Sequence, residues 1–221
     1  MCLAPGRARV TATAGGGHVA IGSATSKQER SSGSPAQRER RTRMLDATIG
    51  LASEGGFDAV QMREVAERAD VALGTLYRYF PSKIHLLVAA LYRELETTEA
   101  RTATRATPGD TPHERVMFML SRMTRGLQKQ PQLTEALVRA FMFADATVSD
   151  EIHSVGMRLT TMISRAIAGD PEHDEATDEE AAIIRIIADV WLAALVSWVT
   201  GRTSAAEVER SVDVAVGLLL P

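Results

Sequence analysis

The chain has few of the residues from which catalytic and metal sites are usually built. Its 221 residues include a single cysteine, Cys2, so they can form no internal disulfide and no cysteine-based metal site, and a reducing cytoplasm fits. The five histidines are scattered, and neither a glycine-rich phosphate loop nor an HExxH motif is present. Strand signals are nearly absent. The sequence therefore argues against an enzyme and predicts an all-α protein of about nine helices.

The charges are distributed unevenly along the chain. The formal net charge is -3, but residues 1–93 hold 13 Lys and Arg against 8 Asp and Glu, whereas residues 94–221 hold 12 against 20. Lysine and arginine near phosphates release counterions and supply most nonspecific DNA affinity, while an acidic region is repelled from the duplex. We therefore expect the basic residues 1–93 and the acidic residues 94–221 to have different functions. The hydrophobic content of 45% is ample for a core.

A helix-turn-helix is predicted within residues 60–87, VQMREVAERADVALGTLYRYFPSKIHLL. Apolar residues recur at helical spacing in two short segments, Val65, Ala66 and Ala69 and then Leu76, Tyr79 and Phe80. Residues 70–72 alone separate them, and so short a turn crosses two helices steeply and offers the second to a major groove. Asp70 occupies a turn position that needs or tolerates a left-handed backbone. The alternative is a helical hairpin buried in some other all-helical domain.

The second helix of this motif carries side chains that suit DNA better than a protein core. Gly74 allows close backbone approach, Thr75 can meet a base edge or a thymine methyl, and Arg78 can reach guanine or phosphate. The hydroxyls of Tyr77 and Tyr79 suit phosphate oxygens. The motif therefore predicts a DNA-binding protein.

The segment GTLYRYFPSK, with Val65 and Ala66 ahead of it, resembles the signature of the TetR-type repressors. The chain departs from that pattern at Gln61, Asp70 and Ala72, where the family usually shows Thr, Gly and Ser. The resemblance implies a three-helix DNA-binding domain followed by a larger helical ligand-binding and dimerisation domain. The residues expected near DNA are Arg38, Arg41, Gln61, Arg63, Gly74, Thr75, Tyr77, Arg78, Tyr79 and Lys83.

The boundaries follow from composition and capping signals. Residues 1–33 are rich in Gly, Ala, Ser and Thr, and we expect a disordered arm whose basic residues either touch DNA or are solvated. The segment lacks the apolar core of a signal peptide. A capping box at Ser34 starts a helix that ends at Gly55 and Gly56. The arginines near the start of this helix would either face the phosphates of DNA or form a solvated run of charge. The same kind of pattern, a hydroxyl residue followed three residues later by glutamate, predicts further helix starts at Thr111, Thr177 and Ser204. We assign residues 34–81 to DNA binding and 82–221 to ligand binding and dimerisation.

A long apolar segment, AAIIRIIADVWLAALVSWVT, covers residues 181–200 and raises the question of a membrane span. Arg185 and Asp189 argue against it, because each would cost roughly 2.5–3.5 kcal/mol at a bilayer centre, and four residues apart they can pair. A soluble helix that is apolar nearly all round must be buried on several sides, one of them by a second subunit. The residues predicted for this dimer interface are Ile187, Trp198, Val208, Val212, Val216 and Leu219.

The middle helices are rich in bulky and flexible apolar side chains. Methionine adapts to irregular shapes, so such a set can line a pocket for a large apolar ligand, or it can be plain core. The residues predicted for the pocket are Met117, Leu120, Met123, Leu127, Leu137, Phe141, Met142, Met157, Met162 and Trp191.

Short segments from Pro35 onward, PAQRERR, LDAT, VQMR, LTEA, FADA and DVWL, are similar to the KstR-type repressors of sterol catabolism within that family. This resemblance implies a homodimer on an inverted-repeat operator, no cofactor and no metal, and release by a sterol-derived coenzyme A thioester. The alternatives are a regulator of an efflux pump or of other lipid metabolism with a different apolar ligand, and a ligand-free architectural DNA binder.

Overall fold

The computed structural model describes residues 34–101, 107–173 and 176–220. The predicted arm, residues 1–33, lies outside this part of the chain. The chain divides into two units, Met1–Arg38 and Glu39–Pro221, and the first helix begins in the first of them. The domain boundaries at residues 33 and 81 remain predictions.

The described residues form nine α-helices and no strand, which confirms the predicted all-α class. A short 3-10 helix, Ala146–Val148, precedes the seventh. The helices are α1 (Pro35–Ala59), α2 (Met62–Arg68), α3 (Leu73–Tyr79), α4 (Lys83–Ala100), α5 (Pro112–Gln128), α6 (Pro131–Met142), α7 (Ser149–Ala168), α8 (Asp178–Val199) and α9 (Ala205–Leu219).

Several helices begin at capping residues that the sequence predicted. The hydroxyls of Thr111, Thr177 and Ser204 accept hydrogen bonds from the backbone N–H three residues later. At Thr111 and Ser204 the glutamate side chain at that third position also accepts from the backbone N–H of the capping residue, which completes a capping box. These bonds satisfy amide groups that have no partner within the helix.

A sharp corner interrupts α1 near its end. The regular helix breaks at Gly55 and Gly56, as predicted, and one further helical turn runs to Ala59. Gly56 has φ +69°, a left-handed conformation that glycine adopts without the penalty of a Cβ. The corner turns the chain from α1 towards α2.

Two groups of helices surround the core. α1, α2 and α3 bury Met44, Val65 and Leu76 completely, and Phe80 closes this head. The remaining helices pack as α8 on α9, α4 on α6 and α7, and α5 on α7 and α9. Most described helices therefore have neighbours that are distant in the sequence.

The structure corrects the predicted dimer interface. Ile187, Val208, Val212 and Val216 are fully buried within a single chain, where α9 packs on α8 and α5. They are therefore unavailable to a second subunit. Trp198 and Leu219 are half-buried. The periodicity of α9 identified its apolar face correctly but could not tell whether the partner of that face belongs to the same chain.

Candidate nucleic-acid interface and internal cavity

α2 and α3 form the predicted helix-turn-helix. The turn between them is closed by the backbone N–H of Val71, which donates to the carbonyl of Ala66 at 3.0 Å. Asp70 has φ +53°, which confirms the left-handed position expected from the sequence. Leu76 is fully buried and anchors α3, so the other side of this helix faces outward.

Five of the ten residues predicted to contact DNA lie on α3. Gly74, Tyr77 and Arg78 are exposed, and Thr75 and Tyr79 are half-buried. Tyr77 is a large side chain with 46% of its surface accessible. A Cβ added to Gly74 would meet no atom of the chain within 4 Å, so packing within the chain does not require a glycine there.

Four further predicted DNA contacts lie on α1 and at the start of α2. Arg38 and Arg63 are exposed, and the guanidinium of Arg41 lies 5.3 Å from the ring centroid of Phe80. Gln61 is exposed and donates from its amide to the carbonyl of Asp58 at 2.9 Å, which orients its side chain. Exposed cations of this kind suit contact with a polyanion.

Lys83 has a more enclosed position than its predicted place near DNA suggested. Its Nζ lies 3.9 Å from the ring centroid of Phe57, and burial lowers the pKa of this lysine from its ordinary value. This contact could not be predicted from the sequence, because Phe57 belongs to the distant corner of α1. Contact between Lys83 and DNA remains a prediction.

A cavity of about 1240 Å³ opens among α4, α5, α6, α7 and α8. Of the residues predicted to line a pocket, six do so: Met123, Leu127, Leu137, Phe141, Met157 and Trp191. The wall is mostly apolar, and the indole N–H of Trp191 donates to the hydroxyl of Thr124 at 2.9 Å. A site of this size can hold a large apolar ligand.

The other four predicted pocket residues do not line this cavity. Leu120 and Met162 are buried in the core, Met117 packs against that core, and Met142 is 54% exposed at the end of α6. A helix that forms one wall of a cavity also has faces turned to the core and to solvent. Residue type alone does not distinguish these faces.

The cavity lining also contains charged residues that the sequence did not mark as a group. Its basic members are Arg101, Arg122, Arg125, Lys129 and Arg185. Glu94 and Asp189 are the acidic members, so positive charge predominates in the lining. Arg185 and Asp189 were predicted to pair, but no ion pair joins them in the described part of the chain; both are exposed and line the cavity.

α4 joins the head to the cavity and is fixed to α7 by charged groups. Arg165 donates to Glu99 at 2.7 Å, and Arg158 also binds Glu99 and donates to the hydroxyl of Tyr92 at 2.7 Å. Neighbouring residues of α4, among them Leu91 and Leu95, line the cavity. A ligand in the cavity therefore touches a helix that begins directly after the recognition helix.

Apolar side chains remain exposed on the last two helices. Val214 and Leu218 on α9 are 62% and 79% exposed, and Ile186 on α8 is 49% exposed. By length and composition α8 could cross a membrane, although helices of soluble proteins pass the same test. Among the described residues no group of His, Cys, Asp and Glu could hold a metal ion.

Comparison with known proteins gives matches to both parts of the chain. Residues 44–90 match the model of the bacterial regulatory proteins of the tetR family, and residues 109–219 match the tetracyclin repressor-like C-terminal domain.

Two relatives are repressors of similar length. The chain is 53% identical to the HTH-type transcriptional repressor KstR of Mycolicibacterium smegmatis, over 85% of the chain and 90% of the relative. It is 51% identical to KstR of Mycobacterium tuberculosis, over 85% and 84%. A crystal structure of a TetR transcriptional regulator from Rhodococcus sp. RHA1 superimposes with a TM-score of 0.77 at 34% identity, covering 84% of this chain and 97% of that one.

Proposed function

The chain belongs to the TetR family of transcriptional regulators and is a repressor related to KstR, and we propose that a sterol-derived coenzyme A thioester releases it from its operator. In this proposal the protein acts in the cytoplasm, binds an inverted-repeat operator as a dimer and controls genes of steroid or lipid catabolism. No enzymatic step is involved.

The observation that carries the proposal is the cavity. Its largely apolar wall suits a fused-ring hydrocarbon, and Met123 and Met157 can adapt to an irregular shape. Its basic members, among them Arg122, Arg125 and Arg185, suit the phosphates of coenzyme A. An apolar body with a polyanionic end matches both features at once.

A dimer follows from the geometry of DNA and from the exposed apolar residues. A two-fold DNA site needs two recognition helices about 34–36 Å apart, and one chain supplies only one. Ile186, Val214 and Leu218 lie exposed on α8 and α9, where a second copy would cover them. We assign the subunit contact to these residues, in place of the buried ones that the sequence suggested.

Release follows from linkage between the two sites. α4 contributes Leu91, Leu95 and Thr98 to the cavity wall and begins at Lys83, directly after the helix-turn-helix. A ligand that wedges the cavity helices apart moves α4 and changes the spacing of the two heads. Ligand and operator then favour different arrangements, so each weakens the binding of the other by the same factor.

The test is fluorescence anisotropy of the purified protein on a labelled inverted-repeat operator from a sterol-catabolic promoter. The operator complex is titrated with a 3-oxo-sterol coenzyme A thioester, with a long-chain acyl coenzyme A and with coenzyme A alone. We expect tight operator binding that the sterol thioester relieves and the other two do not.

Other results would change the proposal in defined ways. Release by the acyl thioester instead would indicate a regulator of other lipid metabolism. Tight binding that no thioester affects would remove the proposed effector, and thermal-shift screening of apolar drugs would then test the efflux-pump alternative.

A further inference from the structure

α6 touches the cavity with one face and the corner of α1 with the other. Its cavity-lining residues are Leu133, Thr134, Leu137, Val138 and Phe141. Glu135 and Arg139 are one turn apart on the side turned away from that wall. Both contact the corner of α1 at residues 55–58. The same helix therefore borders the cavity and holds part of the DNA-binding head.

Glu135 is bound to the backbone of this corner. Its Oε2 accepts a hydrogen bond from the backbone N–H of Phe57 at 2.8 Å, across 78 residues of sequence. The chain at Gly56 comes so close that an added Cβ would lie 2.8 Å from the same oxygen. A bond from a carboxylate to a backbone amide is directional and fixes the path of the chain where α1 turns towards α2.

The Phe57 ring extends this contact to the start of α4. The Nζ of Lys83 lies 3.9 Å from the centroid of this ring, and the guanidinium of Arg139 lies 4.4 Å from it. Arg139 also pairs with Asp58 at 3.4 Å and with Glu135 at 3.5 Å. Glu135 thus fixes the ring on which a lysine expected to reach DNA is packed.

We infer that Glu135 is a positioning residue for operator binding, which holds the α1 corner and Lys83 in the DNA-competent arrangement and passes displacements of α6 to the head. The inference rests on the proposed function for its ligand-dependent part alone. A ligand that pushes on the cavity face of α6 moves Glu135 and the corner together. This contact acts in addition to the movement of α4.

The direction in which operator affinity changes distinguishes a positioning role of Glu135 from a purely electrostatic one. Removing a carboxylate makes the protein less negative, so electrostatics alone would strengthen DNA binding. Loss of the corner contact instead weakens it. We expect Glu135→Ala to raise the operator dissociation constant about 3- to 10-fold without ligand, and to reduce the further weakening by the sterol thioester by a similar factor.

Two further variants complete the comparison. Glu135→Gln keeps an oxygen that can accept from the Phe57 N–H, so we expect operator affinity close to that of the unaltered protein. Glu179→Gln neutralises an exposed carboxylate in the first turn of α8 and controls for charge. Anisotropy gives both dissociation constants, while thermal unfolding with and without thioester reports folding and ligand binding.

Each outcome decides the inference. Weaker operator binding by Glu135→Ala, with normal ligand-induced stabilisation and rescue by Glu135→Gln, supports it. Unchanged or stronger binding overturns it, and so does a matching loss of thermal stability and ligand response, which would indicate misfolding. If the thioester releases no variant but Glu135→Ala still binds operator more weakly, the positioning role stands and the proposed effector fails.

Discussion

Gly74 stands on the outward side of the recognition helix with open space around its Cα. Glycine is a poor helix former, so its own chain gains nothing from having it there. A glycine at this position instead serves DNA binding, because the missing side chain lets a DNA backbone come close to the helix. This single position therefore separates the demands of folding from the demands of binding.

Replacing Gly74 by alanine should affect these two properties in opposite directions. Because the added methyl group meets no neighbouring atom and alanine favours helix, the free energy of unfolding should stay unchanged or rise by up to about 1 kcal/mol. Operator affinity should fall about tenfold, since the methyl group stands between helix and DNA. Urea unfolding and anisotropy measure the two quantities.

Gly126→Ala is the matched control, because a Cβ there also meets nothing within 4 Å but lies in α5 at the cavity. It should leave operator affinity unchanged. Equal effects of both substitutions on DNA binding would remove the assigned role of Gly74.

Individual residues differed in how far the sequence could predict them. The left-handed backbone of Asp70 was predictable, because a three-residue turn between helices constrains its own geometry. The contact of Lys83 with Phe57 was not, since the two residues meet only after α1 has turned at its glycine corner. Local constraints can be read from local sequence, whereas contacts between distant segments cannot.

At the scale of the helix, the capping boxes that begin α5 and α9 have a measurable electrostatic signature. Backbone N–H groups of Asp110 and Thr111 lower the pKa of Glu114 below its ordinary value of 4.5, and the Ser204 backbone does the same for Glu207. A carboxyl whose folded pKa is lowered stabilises the fold above its unfolded pKa. That contribution is lost as the pH falls through the folded value.

We therefore expect acid to weaken both caps. Between about pH 5 and about pH 3 the free energy of unfolding should fall less steeply in the double variant Glu114→Gln, Glu207→Gln than in the unaltered chain, because glutamine caps without titrating. Urea unfolding at a series of pH values gives the two slopes. Parallel slopes would show that neither cap contributes.

Helix beginnings were predictable from sequence and helix partners were not. Thr111, Thr177 and Ser204 cap their helices by accepting from the backbone N–H three residues later. The sequence pattern that predicts each cap therefore spans only four residues. The apolar face of α9 was equally clear, yet Val212 and Val216 pack inside the chain. Periodicity defines a face, and only the assembled bundle defines what covers it.

For the whole molecule, the exposed apolar residues of α9 should determine the oligomeric state. Leu218→Glu combined with Val214→Glu places two charges in the proposed subunit contact, where they cannot be solvated. We expect light scattering to give the mass of one chain and anisotropy to show loss of operator binding. A variant that keeps the mass of a dimer would place the contact elsewhere.

Val212→Ala is the corresponding control on the buried face of the same helix. It should cost on the order of 2 kcal/mol of stability by leaving a cavity, while the oligomeric mass stays unchanged. The pair of experiments thus separates the two faces of α9.

The walls of the cavity come from residues as far apart as Leu91 and Leu195, and the proposed subunit contact ends still later, at Leu218. At translation rates of roughly 5–20 residues per second, a nascent chain completes its DNA-binding head some seconds before either of the other two features. Because the residues of the subunit contact are synthesised last, a chain whose translation ends early lacks this contact and stays a monomer with one DNA-binding head. Premature termination therefore yields no dimer that can hold the operator yet ignore the effector.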